Sequence, residues 1–254
     1  MIDLIVFSVG NNHYALNIEN IQRIIQAKEL TAIPSSNELI DGMMSHEGKV
    51  IKVLNFRKLI GLIPYEEELR KIFGKLKIAH REWMEALLYA VENGTPFAKM
   101  INPHKCDLGM WLDKFNSYDD KVSAVLNDLL QSHKDLHSLG ADVLELLKTD
   151  KDKAQQMLKR EVNAQFSKTI GHLDLFIYEL DGVSSSLQKL ILYEGHNTTF
   201  AIKVDAIKDI AHIEESMIMN SNEEHSSDEY LELLGILDID GVLINIIKHI
   251  DIPK

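Results

Sequence analysis

Cys106 is the only cysteine in 254 residues, and it lies within His104-Lys105-Cys106-Asp107-Leu108-Gly109-Met110-Trp111. His80 and Trp83 stand upstream, and His133-Lys134-Asp135-Leu136-His137 stands downstream. Residues at i and i+4 share one helix face with Cβ atoms about 5–6 Å apart, so His133 and His137 can reach one ion. With His80 and Cys106 they make three imidazoles and one thiolate. That is a full tetrahedral set for zinc, which takes nitrogen and sulfur ligands and closes at four in structural sites. A lone histidine at helical spacing is more often solvated or hydrogen-bonded than a ligand, and the two tryptophans are most simply core residues. The weight rests on the constellation, not on any one member.

The order His-x-x-Trp, Cys-x-Leu-Gly-x-Trp, His-x-x-x-His resembles the chemoreceptor zinc-binding domain, CZB. The positions that carry the likeness are His80, Trp83, Cys106, Leu108, Gly109, Trp111, His133 and His137. The resemblance implies one Zn2+ held by His80, Cys106, His133 and His137. It also implies sensing of zinc or of oxidants such as hypochlorous acid.

Three imidazoles and a thiolate leave no open coordination position, so activation of a metal-bound water is not expected. A helical metalloprotease pair also needs a glutamate after its first histidine. Lys134 occupies that place, and a cation cannot accept a proton. The expected chemistry is on sulfur. Metal keeps Cys106 as thiolate, the form oxidants attack, and oxidation weakens it as a ligand. Two other readings compete. In one the zinc is purely structural. In the other the helices form a di-iron, hemerythrin-like oxygen binder, but such sites want several carboxylates and no thiolate. No catalytic activity is expected.

The elements that must position these residues are helices. From about Glu66 to Asp181 apolar residues recur at three and four: Trp83, Leu87, Val91; Val122, Val125, Leu126, Leu129; Val143, Leu144, Leu147; Phe166, Ile170, Leu173, Ile177. Asn93-Gly94-Thr95-Pro96 and Gly140 punctuate the pattern, which predicts four long helices and a short helical turn around Cys106 to Trp111. On either side the texture is β. Leu4 to Val9, His13 to Ile18, Val50 to Leu54, Leu190 to Tyr193, Thr199 to Ile202, Gly235 to Ile239 and Val242 to Ile246 read as strands. Gly10-Asn11-Asn12 and Asp240-Gly241 read as turns. Residues 221 to 229, rich in Ser, Asn and Glu, read as a mobile surface loop. The order β, helical, β predicts an inserted helical domain whose entry and exit helices run side by side.

With the insert removed, the two β segments resemble a CheW-type chemotaxis adaptor. The first carries Phe7-Ser8-Val9-Gly10, Tyr14-Ala15-Leu16-Asn17-Ile18, Ile33-Pro34, Gly42, Gly48, Val53 and Leu59. The second carries Ile202-Lys203-Val204-Asp205-Ala206-Ile207 and Leu234-Gly235-Ile236-Leu237. The resemblance implies an α+β multidomain protein: a CheW-like double β-barrel over 1–66 and 184–254, interrupted by a CZB-like zinc-binding four-helix bundle over 67–183. It also implies an adaptor that links a chemoreceptor to the histidine kinase CheA; whether the chain forms a homodimer is left open. Two positions depart from the adaptor pattern. Glu47-Gly48 stands where the family has Arg-Gly, and Lys52-Val53 where it has Pro-Val. Reversing a charge at a contact costs more than deleting it, so a specialised partner is expected.

Composition sets outer bounds. A formal charge of -12 argues against a nucleic-acid partner. One cysteine permits no intrachain disulfide, which fits a reducing compartment. Met1-Ile2-Asp3-Leu4 lacks the charged and apolar regions of a signal peptide, and no apolar run approaches the ~20 residues of a membrane span. These features lead to the expectation of a soluble, cytoplasmic protein.

Overall fold

The computed structural model describes residues 1–34, 37–114, 120–195, 198–219 and 229–253. It comprises two units: Met1–Tyr65 with Ser184–Lys254, and Glu66–Val183. The protein is thus α+β, a β-rich unit plus a helical one. Residues 221–228 of the loop read from the sequence lie outside the described residues.

The β-rich unit begins with β1 (Ile2–Val9), β2 (Asn12–Asn17), β3 (Ile21–Gln26), β4 (Ile40–His46), β5 (Lys49–Asn55) and a short helix α1 (Phe56–Leu59). It resumes with β6 (Lys189–Glu194), β7 (Thr199–Val204), β8 (Ala206–Ile213), β9 (Leu231–Ile239) and β10 (Val242–Ile250). These form two five-stranded sheets, ordered β8-β1-β2-β10-β9 and β3-β6-β7-β5-β4. Both sheets draw on both chain segments. The joins are the antiparallel pairs β1–β8 and β3–β6 and the parallel pairs β10–β2, with Ile244 opposite His13, and β5–β7, with Val53 opposite Ala201.

The run Leu4 to Val9 is apolar on every residue but Ser8 because β1 is buried on both faces. Leu4 and Val6 pack into one cluster with Leu237, Ile244 and Ile246. Phe7 and Val9 point the other way, into a larger cluster that joins Phe56, Tyr193, Phe200 and Ile247. A buried polar knot sits beside that cluster. Arg57 is paired with Asp205. Asp205 also accepts from the Gly10 backbone N–H at 2.7 Å and from Gln188 Nε2 at 3.0 Å. The partners satisfy one another, as burial of a charge requires.

Three strands, β3, β4 and β8, escaped the sequence reading. β4 carries Met43, Met44 and Gly42 rather than β-branched residues. Gly42 has φ 151, and a Cβ there would lie 2.6 Å from the Thr31 carbonyl oxygen. Close backbone approach, not strand propensity, selects its residues. β8 is an edge strand with a shifted register between Val6 and Phe7, which blurs its alternation.

The helical unit holds α2 (Tyr65–Asn93), α3 (Asp107–Asp113), α4 (Asp120–Leu147), α5 (Lys151–Met157) and α6 (Asn163–Leu187). A π-turn at Leu158–Val162 joins α5 to α6. Among the described residues the unit has three long helices, α2, α4 and α6, and the short α3 and α5, where four long helices were expected. Gly140 accounts for the difference: it lies inside α4 and does not end it. A Cβ at Gly140 would lie 2.5 Å from Trp83 Cη2, so the glycine admits the indole instead of breaking the helix. Gly94, at φ 66, does follow a helix end, that of α2. α2 and α6 run side by side, tied by Arg70 to the Ile177 carbonyl at 2.8 Å and by the Lys77–Asp174 ion pair. The core of the unit is Trp83, Leu87, Val91, Leu136, Val143, Ala154, Leu158 and Val162.

Candidate metal centre

His80 sits in the middle of α2, on the face that buries Phe73, Leu76 and Trp83. Its Nδ1 lies 2.8 Å from the Leu76 carbonyl, one turn earlier. A carbonyl only accepts, so Nδ1 carries the proton and Nε2 keeps its lone pair free for an ion. His137 is fixed in the same way by the Ile101 carbonyl, 2.8 Å from its Nδ1. His133 is fully buried one turn before His137 on α4, and the two rings lie 4.6 Å apart.

Cys106 caps the N-terminus of α3, and its Sγ accepts from the Gly109 N–H at 3.4 Å. Gly109 is obligatory there, since a Cβ would fall 1.6 Å from the Pro103 carbonyl oxygen. Cys106 Sγ lies 3.1 Å from His133 Nε2. The donor atoms of His80, Cys106, His133 and His137 all lie within 4.8 Å of one another.

The electrostatics fit neutral imidazoles. Burial, reinforced by the charges of His137 and His80, pushes His133 down to about 2. Burial and then His80 push His137 down to about 4, against the pull of the Ile101 carbonyl. His80 is lowered mainly by burial. Burial also raises the Cys106 thiol, partly offset by the N–H groups of Gly109 and Leu108. Two buried nitrogens, His133 Nδ1 and His137 Nε2, have no hydrogen-bond partner. Leaving such groups unsatisfied costs roughly 1–3 kcal/mol each. A cation among these four donors would give His137 Nε2 a partner and favour the thiolate. Among the described residues this is the one such cluster, and it contains no carboxylate, so it does not suit a di-iron centre.

Surrounding groups hold the donors. Trp83 packs against His137 with ring centroids 5.1 Å apart and donates Nε1–H to the Met100 carbonyl at 2.8 Å. Trp111 packs instead against Phe73, at 4.6 Å. Ser132, next to His133, is clasped by α6: its carbonyl accepts from Gln165 Nε2 at 2.8 Å and Thr169 Oγ1 at 2.9 Å, and its hydroxyl lies 2.9 Å from His172 Nδ1. The carbonyls of Leu76 and Ile101 and this clasp were missed in the sequence. A backbone oxygen leaves no signal there, although a residue four before a helical histidine is always a candidate.

At the surface of the β-rich unit, Glu47 (φ 50) and Gly48 (φ 77) form the tight turn between β4 and β5. Glu47 pairs with Arg23 at 3.2 Å, both exposed. No helix among the described residues is long and apolar enough to cross a membrane.

Comparison with known proteins gives two family matches. Residues 3–75 match the CheW-like domain, and residues 80–144 match the chemoreceptor zinc-binding domain. A chemotaxis protein CheW from Thermotoga maritima is 24% identical over 70 residues, 28% of this chain and 46% of that protein. The chain therefore spans about half the length of the curated relative it matches. The crystal structure of the scaffolding protein TtCheW from Thermoanaerobacter tengcongensis superposes with a TM-score of 0.45 at 15% identity, covering 97% of this chain and 88% of that one. The chain thus carries one segment similar to the CheW-like domain and another similar to the chemoreceptor zinc-binding domain, and the four clustered donors all fall in the second.

Proposed function

We propose that this chain is a cytoplasmic, non-enzymatic chemotaxis adaptor that links chemoreceptors to a CheA-type histidine kinase and carries its own zinc-dependent oxidant sensor. In this reading a CheW-like double β-barrel, residues 1–66 and 184–254, is interrupted by a zinc-binding helical bundle over 67–183. One observation carries it. His80, His133 and His137, all buried, converge with the half-buried Cys106 in a segment similar to a chemoreceptor zinc-binding domain, and a CheW-like segment precedes them.

His80, His133 and His137 would bind as neutral imidazoles. Their burial keeps them unprotonated at neutral pH, so only the Cys106 proton has to leave. Zinc bound there would supply a positive charge that favours Cys106 as thiolate. That thiolate would be the group that attacks hypochlorous acid. In net terms a sulfur–oxygen bond forms, chloride leaves, and Cys106 becomes a sulfenic acid, oxidised by two electrons. The sulfenic acid is the poorer ligand, and α3, which Cys106 caps, loses its restraint against α4. The β-rich surface would carry the output. Glu47, where the adaptor pattern has arginine, selects a partner of complementary charge.

The test follows zinc release with a chromogenic chelator as hypochlorous acid is added. The wild type should lose zinc in step with sulfenic acid formation at Cys106, and its affinity for the kinase should change. Cys106→Ser should bind zinc more weakly and show no oxidant-triggered step. Equal release from both proteins would show that sulfur is not the switch. Retention of zinc through Cys106 oxidation would leave the metal as a structural staple.

A further inference from the structure

The outward face of α2 carries a charge pattern that only two exposed ion pairs engage among the described residues. Lys71, Lys75, Ile78, Glu82, Glu85 and Tyr89 follow one another at four, three, four, three and four residues, and all are exposed. That spacing puts them on one stripe, on the side away from the buried Phe73, Leu76, His80 and Trp83. Ile78 is 56% exposed at its centre, with two lysines before it and two glutamates after it. Lys75 and Glu85 have no ion-pair partner among the described residues. Lys71 and Glu82 pair only with exposed Glu67 and Lys99, at 2.9 and 3.3 Å. Such surface pairs exchange partners at little cost.

A second feature lies beside the stripe. α6, which meets α2 through Asp174 and Ile177, turns Leu175 and Tyr178 outward at 47% and 77% exposure. Gly74 on α2 and Gly171 on α6 sit inside their helices with open space where a Cβ would stand. Glycine is a poor residue for a helix interior, and no packing among the described residues calls for it at either place. Glycines beside exposed apolar residues let another backbone approach closely.

The geometry points to a second copy of this chain as the occupant of this face, docked antiparallel about a two-fold axis at Ile78. Ile78 then meets its own counterpart, Lys75 faces Glu82 of the other copy, and Lys71 faces Glu85. The arrangement is self-complementary, as an isologous contact demands. A parallel pairing would set lysine against lysine and glutamate against glutamate. The inference goes beyond the proposed function and does not depend on the metal, since His80 points to the opposite side of α2.

The test is light scattering on the full chain over a dilution series at low salt, with Lys75→Glu and Glu82→Lys as variants. The wild type should weigh twice the 28.9 kDa chain mass and dissociate as salt rises. Each variant alone places like charges opposite one another and should be a monomer. An equimolar mixture of the two variants should regain the dimer, because position 75 of each then faces the opposite charge at position 82 of the other. That recovery distinguishes an interface from a folding defect. A wild type that stays monomeric at every concentration, variants that dimerise like the wild type, or a mixture that fails to recover would each overturn the inference.

Discussion

Gly140 shows how closely the donor set is supported by residues that never touch it. It lets the Trp83 indole lie against α4, where the ring packs on His137. Gly140→Ala would put a methyl 2.5 Å from Trp83 Cη2. Overpacking of this kind costs about 1–3 kcal/mol. The displaced indole would also release His137 from its orientation toward the cluster. The variant should therefore melt at lower temperature and bind zinc more weakly in a chelator competition. Unchanged zinc affinity with a lowered melting temperature would mean that Trp83 supports the fold but does not orient the ligand.

At the scale of elements, the centre is assembled from the middle of α2, the cap of α3 and one turn of α4. That turn is in turn held by α6. Thr169 Oγ1 lies between the carbonyls of Ser132 and Gln165, and Ser132 precedes His133. Thr169→Val removes the hydroxyl without changing shape, at a cost of about 1 kcal/mol. Loss of such outer support typically weakens metal binding by ~10-fold or more, so zinc affinity should fall and Thr169→Ser should restore it. Equal zinc affinity in Thr169→Val and wild type would detach α6 from the centre. The spacing of His80, Cys106, His133 and His137 was readable in the sequence because ligands need fixed residue types. The helix count was not. An interior glycine reads as a break until the indole packed against it is known, and the π-turn that joins α5 to α6 leaves no residue-type mark.

At the scale of the whole molecule, hairpins such as β9–β10 around Asp240-Gly241 were legible from local chemistry. The parallel pairs β10–β2 and β5–β7 were not, because they join residues about two hundred and thirty and about one hundred and fifty positions apart. Asp41 on β4 helps to hold one of these joins. It accepts from Lys203 on β7 at 3.0 Å and from Asn55 at 2.9 Å, and it pairs with Lys58 at 2.8 Å. Burial would raise its carboxyl, but Lys203, Lys58 and Asn55 outweigh burial and hold it below the usual value. A depressed folded value stabilises the protein above the unfolded value of about 3.9 and loses that contribution as pH falls through it. Asp41→Asn should therefore cost roughly 1–3 kcal/mol at neutral pH, read from denaturant unfolding. The gap to the wild type should close below about pH 4. A gap that persists in acid would mean that the charge at Asp41 is not what matters.

Elemental analysis of the purified full chain tests the zinc assignment directly. The wild type should contain one zinc per chain and no stoichiometric iron, and His80→Ala, Cys106→Ala, His133→Ala and His137→Ala should each contain far less while keeping the β-rich unit folded. Undiminished zinc in the His137→Ala protein, or iron in place of zinc in the wild type, would contradict it.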